Sequence, residues 1–105
     1  MVFVELPLFQ KYLSLSDEEL RQLQMFLLSQ PDAGDLIQGS GGLRKLRHPL
    51  PGRGKRSGAR VIYYWYTKKS LCFLLLAYPK NRMENLTDKQ VKALSELVLK
   101  ELKDG

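Results

Sequence analysis

Apolar residues recur every three or four positions after Ser16, the spacing of a helix that buries one face: Leu20, Leu23, and Phe26 or Leu27. Ser16 and Glu19 have the types and spacing of a capping box, so we place the start of this helix at Ser16. Pro31 cannot continue a helix and ends it. Thr87 and Gln90 repeat the capping pattern, and the apolar stripe behind them predicts a closing helix: Val91, Leu94, Leu97 or Val98, and Leu102.

Extended structure replaces this helical spacing in the middle of the chain. Residues 60–67 and 71–78 are rich in β-branched, aromatic and other apolar residues, and the short polar link between them predicts a β-hairpin. Residues 71–78 are an apolar run of eight, which suits a buried strand and is too short for a helix across a membrane. Residues 2–5 and 43–47 are predicted as further strands.

One more short helix is expected after Pro7, where apolar residues again recur at helical spacing: Leu8, Phe9, Tyr12 and Leu13. The resulting order of elements, β-α-α-β-β-β-α, predicts an α+β fold. We expect one domain over residues 1–105, because the chain has the length of a single hydrophobic core. We also expect an antiparallel sheet, with two N-terminal helices and one C-terminal helix packed on one of its faces.

Charge divides the chain into a basic centre and acidic ends. Residues 36–83 hold eleven Lys or Arg and no Asp or Glu, whereas the remaining residues hold six basic and eleven acidic side chains. The net charge of +6 therefore understates the positive field around the centre. Such a field attracts polyanions, and nucleic acid is the expected partner. A solvated basic face without a ligand is the alternative that charge alone leaves open.

Strand alternation gathers several of these cations on one sheet face. Lys45 and Arg47 lie two apart in a predicted strand and so point the same way. If helices bury the apolar residues that alternate with Arg60, then Arg60 lies on the open face, which avoids burying an unpaired charge. Tyr78 and Lys80 share a face at the end of the last strand. The pattern predicts one concave basic surface made from three strands.

The residues around this surface point to single-stranded nucleic acid. Residues 48–58 have the Pro, Gly and basic composition of a loop, which adds further cations above the surface: Arg53, Lys55 and Arg56. Exposed tyrosines beside cations would offer bases a stacking contact of about 1 to 3 kcal/mol each, which makes Tyr64 and Tyr78 candidate binding residues. Packing in the core is the equal alternative for both tyrosines.

Familiar catalytic sets are missing from the sequence. We expect the single histidine, His48, to be an ordinary polar loop residue, since it has no partner for a triad or a metal site. Cys72, inside the apolar run, is expected to be a protonated core thiol in a reducing compartment. The carboxylates fall on helix caps and helix faces, so we expect neither a metal nor a cofactor. Without a leader pattern, the expected location is the cytoplasm, with no membrane contact.

Three strings resemble the RelE/HigB branch of bacterial type II toxins: GSGGLRKLR, GRGKRSGARVIYYW and LAYPKNRMENLT. The resemblance extends over nearly the whole chain, including LPLFQKYLSLSDEEL. It implies a RelE-like fold and a ribosome-dependent endoribonuclease that cuts mRNA in the decoding A site and so inhibits translation. The implied partners are the ribosome, mRNA and a cognate antitoxin, typically a helix-turn-helix protein of the HigA type.

The resemblance also indicates which residues act, because the family relies on basic side chains for the chemistry. The catalytic candidates at matching positions are Lys45, Arg47, Arg60 and Lys80. The candidates for RNA or ribosome binding, from the same strings and the charge pattern, are Arg44, Arg53, Lys55, Arg56, Tyr64, Tyr78 and Arg82. Pro79 departs from the family, in which a small residue is usual, and its fixed φ and missing N–H affect where Lys80 lies.

The expected reaction is attack of a ribose 2′-OH on its adjacent phosphate, with Arg60 stabilising the phosphorane and Lys45 or Lys80 acting as general base. Two other functions stay open at this point. One is a ParE-like gyrase inhibitor, since the same superfamily includes such proteins. The other is a non-catalytic RNA-binding module.

Overall fold

The computed structural model describes residues 1–53, 58–80 and 86–104 of the chain. Its centre is a five-stranded sheet in the order β1-β5-β4-β3-β2, flanked by two helices. The elements follow the chain as β1 Val2–Glu5, α1 Asp17–Ser29, β2 Asp35–Leu36, β3 Arg44–Pro49, β4 Gly58–Tyr66, β5 Leu71–Pro79 and α2 Asp88–Asp104. A short 3-10 helix, Thr67–Lys69, links β4 to β5. The predicted α+β class and the predicted hairpin are confirmed.

Both predicted capping boxes are present. Ser16 Oγ accepts a hydrogen bond from the N–H of Glu19 at 3.1 Å, and Glu19 Oε1 accepts one from the N–H of Ser16 at 2.8 Å. Thr87 and Gln90 make the same reciprocal pair, at 3.1 and 2.8 Å. Each box satisfies backbone N–H groups that the first helical turn leaves unpaired, and this fixes where α1 and α2 begin.

The short helix predicted after Pro7 is wrong, because this segment forms turns. Backbone groups of this segment and of Leu6 before it hydrogen-bond to β5. The N–H of Leu6 donates to Leu74 O at 3.0 Å, and the N–H of Ala77 donates to Phe9 O at 3.1 Å. Phe9 itself is fully buried in the core. The apolar spacing in this segment therefore reflects anchoring along the edge of β5, whose hydrogen bonds compete with those of a helix.

The sheet is mixed, so the prediction of a wholly antiparallel sheet is wrong. β3, β4 and β5 pair antiparallel, whereas β1 runs parallel to β5, from Val2 opposite Leu71 to Glu5 opposite Leu74. β2 adds a two-residue antiparallel strand beside β3, which was not among the predicted strands. A four-residue strand is too short for its sequence pattern to fix its direction. Along the chain, α1 and several strands lie between β1 and its partner β5, so no hairpin turn fixes the direction either.

The two helices lie on opposite faces of the sheet, which contradicts the prediction that all helices share one face. Leu23 and Leu27 of α1 belong to one buried cluster, the α1 side, with residues from β3, β4 and β5: Leu46, Val61, Tyr63 and Leu74. Leu94 and Val98 of α2 belong to a second, the α2 side: Leu43, Ile62, Phe73 and Leu76. Because β4 and β5 are apolar on both faces, each face needs its own helix.

The central strands contain one irregularity that affects both faces. The register between β4 and β5 shifts between Ile62 and Tyr63, where Ile62 pairs with Leu76 and Tyr63 with Leu74. Leu75 is the extra residue of this bulge, and it lies on the α2 side together with Leu76. Alternation resumes beyond the bulge, so Tyr78 also lies on the α2 side. Among the described residues, neither helix combines the length and apolar character needed to cross a lipid bilayer.

Candidate nucleic-acid site

β3 and β4 place cations, and β5 places a tyrosine, in rows on the α2 side of the sheet. Arg47 of β3 pairs with Arg60 of β4, and Arg60 pairs with Tyr78 of β5. The neighbouring row holds Lys45, which pairs with Ile62. Directly paired residues project from the same face, so these four polar side chains share the face that sequence alternation predicted.

Lys80 extends the arrangement by one row. Its backbone N–H donates to Gly58 O at 3.2 Å, and its side chain lies 4.0 Å from the point that a Cβ at position 58 would occupy. Residues two apart in a strand are separated by about 6.7 Å, so Lys80 follows Tyr78 at the spacing of one row. We call Lys45, Arg47, Arg60 and Lys80 the cation cluster.

Exposure changes across the cation cluster. Arg47 and Lys80 are exposed, Lys45 and Arg60 are partly buried, and Tyr78 is only 1% exposed. The sequence suggested that this face is open along its whole length. It is not, because Ile62 in the middle of β4 is fully buried in the cluster that includes α2. The accessible cations therefore lie at one end of the central strands, beyond Ile62.

Two buried polar atoms in this region have no hydrogen-bond partner among the described groups: Arg60 Nε and the Tyr78 hydroxyl. Leaving such a group unpaired costs about 1 to 3 kcal/mol. Burial raises the pKa of Tyr78, while the neighbouring Arg60 guanidinium acts to lower it. The net shift is upward from 10.0, so the hydroxyl keeps its proton at neutral pH.

Two of the predicted binding cations lie outside the cation cluster and have structural contacts. The Arg44 guanidinium donates to Gly34 O at 2.8 Å and to Asp32 O at 3.1 Å. Arg44 pairs with Tyr63 and so lies on the α1 side. Arg53 donates to the Glu19 carboxylate and to the carbonyl oxygen of Ser14. Binding of RNA by Arg44 or Arg53 stays a prediction.

Tyr64 is on the α2 side but lies away from the cation cluster. Four residues of an extended strand separate it from Arg60, a distance of about 13 Å. It is half-buried, with its ring 6.4 Å from the rings of both Tyr66 and Phe73. Its ring also fills the space beside Gly42, where an added Cβ would lie 2.8 Å from Tyr64 Cε1. Base stacking on Tyr64 stays a prediction.

The remaining binding candidates, Lys55, Arg56 and Arg82, lie outside the described residues. Sequence reasoning did not anticipate a groove of about 650 Å³ between residues 38–41 and α2, which Tyr64 also lines. Positive φ angles at Gly39 and Gly41 shape the loop beside it, and the glycine content of this stretch was the signal available in the sequence. The sequence also held no signal for the unpaired state of the Tyr78 hydroxyl.

The histidine and the cysteine lie apart from the cation cluster. His48 was expected in a loop, but it lies in β3 and is buried, with its ring 6.3 Å from that of Phe26. Burial lowers the pKa of His48, and Glu19 opposes this shift. Cys72 is a core residue as predicted, and burial raises the pKa of its thiol to about 12. The described residues contain no group of three His, Cys, Asp or Glu side chains that could hold a metal ion.

Comparison with known protein families identifies the family of this chain. The model for the RelE toxin of the RelE/RelB toxin-antitoxin system matches residues 8–103. The matched range includes α1, all the strands from β2 to β5 and nearly all of α2. All four residues of the cation cluster, and Tyr78 beside them, fall within it.

Proposed function

The chain belongs to the RelE toxin family, and we propose that it is an endoribonuclease that cuts mRNA on the ribosome and so inhibits translation. As a family member it is the toxin of a toxin-antitoxin system and pairs with an antitoxin. The observation that supports the nuclease proposal most directly is the row of Arg47, Arg60 and Tyr78 across three strands, with Lys45 and Lys80 in the adjoining rows. A cytoplasmic location and a helix-turn-helix antitoxin of the HigA type are part of the same proposal.

The cation cluster suits a sugar-phosphate. Strands β3, β4 and β5 contain no Asp or Glu. The carboxylate residue next to the cation cluster is Asp35 of β2, which pairs with Lys45, so Arg47, Arg60 and Lys80 carry the argument for a phosphate. Exposed Arg47 and Lys80 can meet the phosphates of an approaching strand, and partly buried Arg60 can act where solvent screens charge less. An arginine fork also matches the geometry of a phosphate group.

The proposed step is a transesterification within the RNA. A general base, Lys45 or Lys80, takes the proton of a ribose 2′-OH, and the 2′ oxygen attacks the adjacent phosphorus. Arg60 stabilises the added negative charge on the phosphorane oxygens. The bond from phosphorus to the 5′ oxygen then breaks, and that oxygen takes up a proton. The products are a 2′,3′-cyclic phosphate and a free 5′-OH.

The test is cleavage of a defined mRNA on purified translating ribosomes, with the new 5′ ends mapped by primer extension. We expect Arg60→Ala and Lys80→Ala each to slow cleavage by about 100-fold or more, because each removes a group that acts in the transition state. Lys68→Ala is the matched control, since Lys68 is exposed in the hairpin link at the opposite end of β4 and β5. It should cleave at the wild-type rate.

Other results would favour the alternative functions. Cleavage within a fewfold of wild type in both Arg60→Ala and Lys80→Ala would contradict the assigned roles. Salt-sensitive RNA binding without any cleaved product would indicate a non-catalytic RNA-binding module. A DNA damage response that precedes the arrest of translation after induction would indicate a gyrase inhibitor.

A further inference from the structure

We propose that Arg60 Nε and the Tyr78 hydroxyl form an oxyanion-binding subsite, in which Tyr78 is a neutral hydrogen-bond donor to a phosphate oxygen. The subsite rests on the proposed function in one respect, because the phosphate that it would bind during cleavage belongs to the RNA. It adds a role that charge patterning did not assign, because Tyr78 acts here through its hydroxyl and not through base stacking.

The placement of the two residues supports a shared ligand atom. Arg60 and Tyr78 are direct cross-strand partners on the same face, and such partners have Cβ atoms about 5 Å apart. Both polar atoms are buried without a partner among the described groups. A phosphate oxygen has several lone pairs, so one such oxygen can accept from both donors at once.

The chemistry of the two atoms restricts what the ligand can be. Arginine Nε–H only donates, so whatever pairs with it has to be an acceptor. An anionic acceptor is favoured, because Arg47 adjoins Arg60 in the same row and the central strands hold no carboxylate. A divalent cation or a donor-only ligand does not fit these atoms.

Tyr78 is suited to donate a proton in a hydrogen bond and not to act as the general base. A base would have to be the phenolate, and burial raises the pKa of this hydroxyl further from neutrality. A donor that is already buried loses little by reorganisation when charge develops on the phosphate. Because both atoms are covered, the ligand oxygen reaches them after a side-chain shift, for which partly exposed Arg60 is the candidate.

The subsite predicts an unusual combination of effects for Tyr78→Phe. The substitution removes a hydroxyl that has no protein partner, so it leaves no new unpaired group behind. The free protein should therefore be as stable as wild type or more so. Anion binding and RNA cleavage should both weaken, which is the opposition of stability and activity seen at preorganised sites.

The experiment compares wild type, Tyr78→Phe and Tyr63→Phe, a matched buried tyrosine whose hydroxyl is fully bonded. Melting temperatures are measured with and without inorganic phosphate, at an ionic strength held constant with potassium chloride. Phosphate should stabilise wild type and Tyr63→Phe, and most of that shift should be absent in Tyr78→Phe. Ribosome-dependent cleavage by Tyr78→Phe should fall about 10-fold to 100-fold, with the shape of its pH profile unchanged.

Each failure can be told apart. Equal stabilisation of wild type and Tyr78→Phe by phosphate, or no stabilisation of wild type, overturns the subsite. This is the result expected if a water molecule pairs with Arg60 Nε and the Tyr78 hydroxyl. A melting temperature of Tyr78→Phe as low as that of Tyr63→Phe also overturns it. If phosphate binding needs Tyr78 but ribosomes yield no cleaved mRNA, the subsite stands and the nuclease proposal fails. If wild type and Tyr78→Phe cleave mRNA at equal rates, the nuclease proposal stands and the subsite fails.

Discussion

Two tyrosines that are both fully buried in the central strands differ in their hydrogen bonds. The hydroxyl of Tyr63 donates to Pro31 O at 2.8 Å and accepts from the N–H of Gly34 at 2.9 Å. The Tyr78 hydroxyl has no such partner among the described groups. One tyrosine therefore ties the segment after α1 to the sheet, and the other keeps its hydrogen-bonding capacity for a ligand.

Tyr63→Phe should destabilise the protein by about 1 to 3 kcal/mol, because it leaves the Gly34 N–H and the Pro31 carbonyl without their buried partner. Urea denaturation followed by circular dichroism measures this difference. Tyr66→Phe, at a half-buried position on the same strand, is the control and should change stability by less than about 0.5 kcal/mol. Equal stabilities of wild type and Tyr63→Phe would show that water replaces the lost bonds.

Glu19 should give the protein a pH-dependent part of its stability. The Arg53 guanidinium and the backbone N–H of Ser16 lower the pKa of Glu19 to about 2, from an ordinary value of 4.5. A lowered folded-state pKa means that this stability is complete above pH 4.5 and is lost as the pH falls toward 2.

Glu19→Gln isolates this contribution, since glutamine keeps the capping box but not the charge. Urea midpoints should show the variant less stable than wild type at neutral pH, with the difference shrinking between pH 4.5 and about 2. A difference that stays constant over this range would mean that the charge of Glu19 adds nothing to folding.

At the residue scale, the sequence was enough where the cause is local. The capping residues Ser16 and Thr87 are recognisable because their partners lie three positions away, and Cys72 is recognisable from its apolar neighbours. The bond between Tyr63 and Gly34 joins positions 29 apart, so no short-range pattern reveals it. For the same reason the sequence could not separate the bonded tyrosine from the unpaired one.

At the scale of elements, the site depends on the two helices in different ways. α1 and the loop at Arg53 are joined through Glu19, on the side of the sheet that lacks the cation cluster. α2 packs on the side that carries it and covers Ile62 and Leu76, so its position limits which cations reach solvent. A change that loosens α2 therefore alters the surroundings of the cation cluster, whereas a change in α1 acts through overall stability.

Thr87→Ala tests how far the cap holds α2 in place. The variant loses the side-chain oxygen that accepts from the Gln90 N–H, and it should be destabilised by about 1 kcal/mol. Thr87→Ser retains that oxygen, and its free energy of unfolding should stay within about 0.3 kcal/mol of the wild-type value. Chemical denaturation measures both, and equal losses in the two variants would assign the effect to the threonine methyl group.

The elements show where periodicity is informative and where it is not. α1, β4, β5 and α2 are long enough for their apolar spacing to identify them, and all four lie close to their predicted positions. The turns after Pro7 share the apolar content of a helix because Phe9 anchors them to the core. β4 buries residues on both faces. Alternation therefore predicted which face carries Arg60, but it did not predict that α2 packs on that same face.

At the scale of the whole molecule, the described cations from the basic centre of the sequence are divided between the two ends and the two faces of the sheet. The hairpin link holds Lys68 and Lys69 at the opposite end of β4 and β5 from the cation cluster, so the eleven central cations do not form one continuous patch. Charge counting predicted a polyanion partner, but only the register of β3, β4 and β5 shows which cations lie together.

Binding of a labelled single-stranded RNA across a salt series should separate the two groups of cations. Each phosphate contact contributes a slope of about −0.7 to the dependence of log affinity on log salt concentration, so Arg47→Ala should reduce the slope by about that amount. Lys68→Ala should bind with the wild-type slope. Equal slopes for wild type and both variants, measured by fluorescence anisotropy, would place the RNA elsewhere on the molecule.

The parallel pairing of β1 with β5 also has a consequence for synthesis. Val2–Glu5 pairs with Leu71–Leu74, so the segment made early on the ribosome waits for one made much later. Contacts this far apart in sequence form slowly, since a long loop closes before they are made. A newly translated toxin therefore passes through a period in which the edge of β5 that β1 covers in the folded protein is unoccupied.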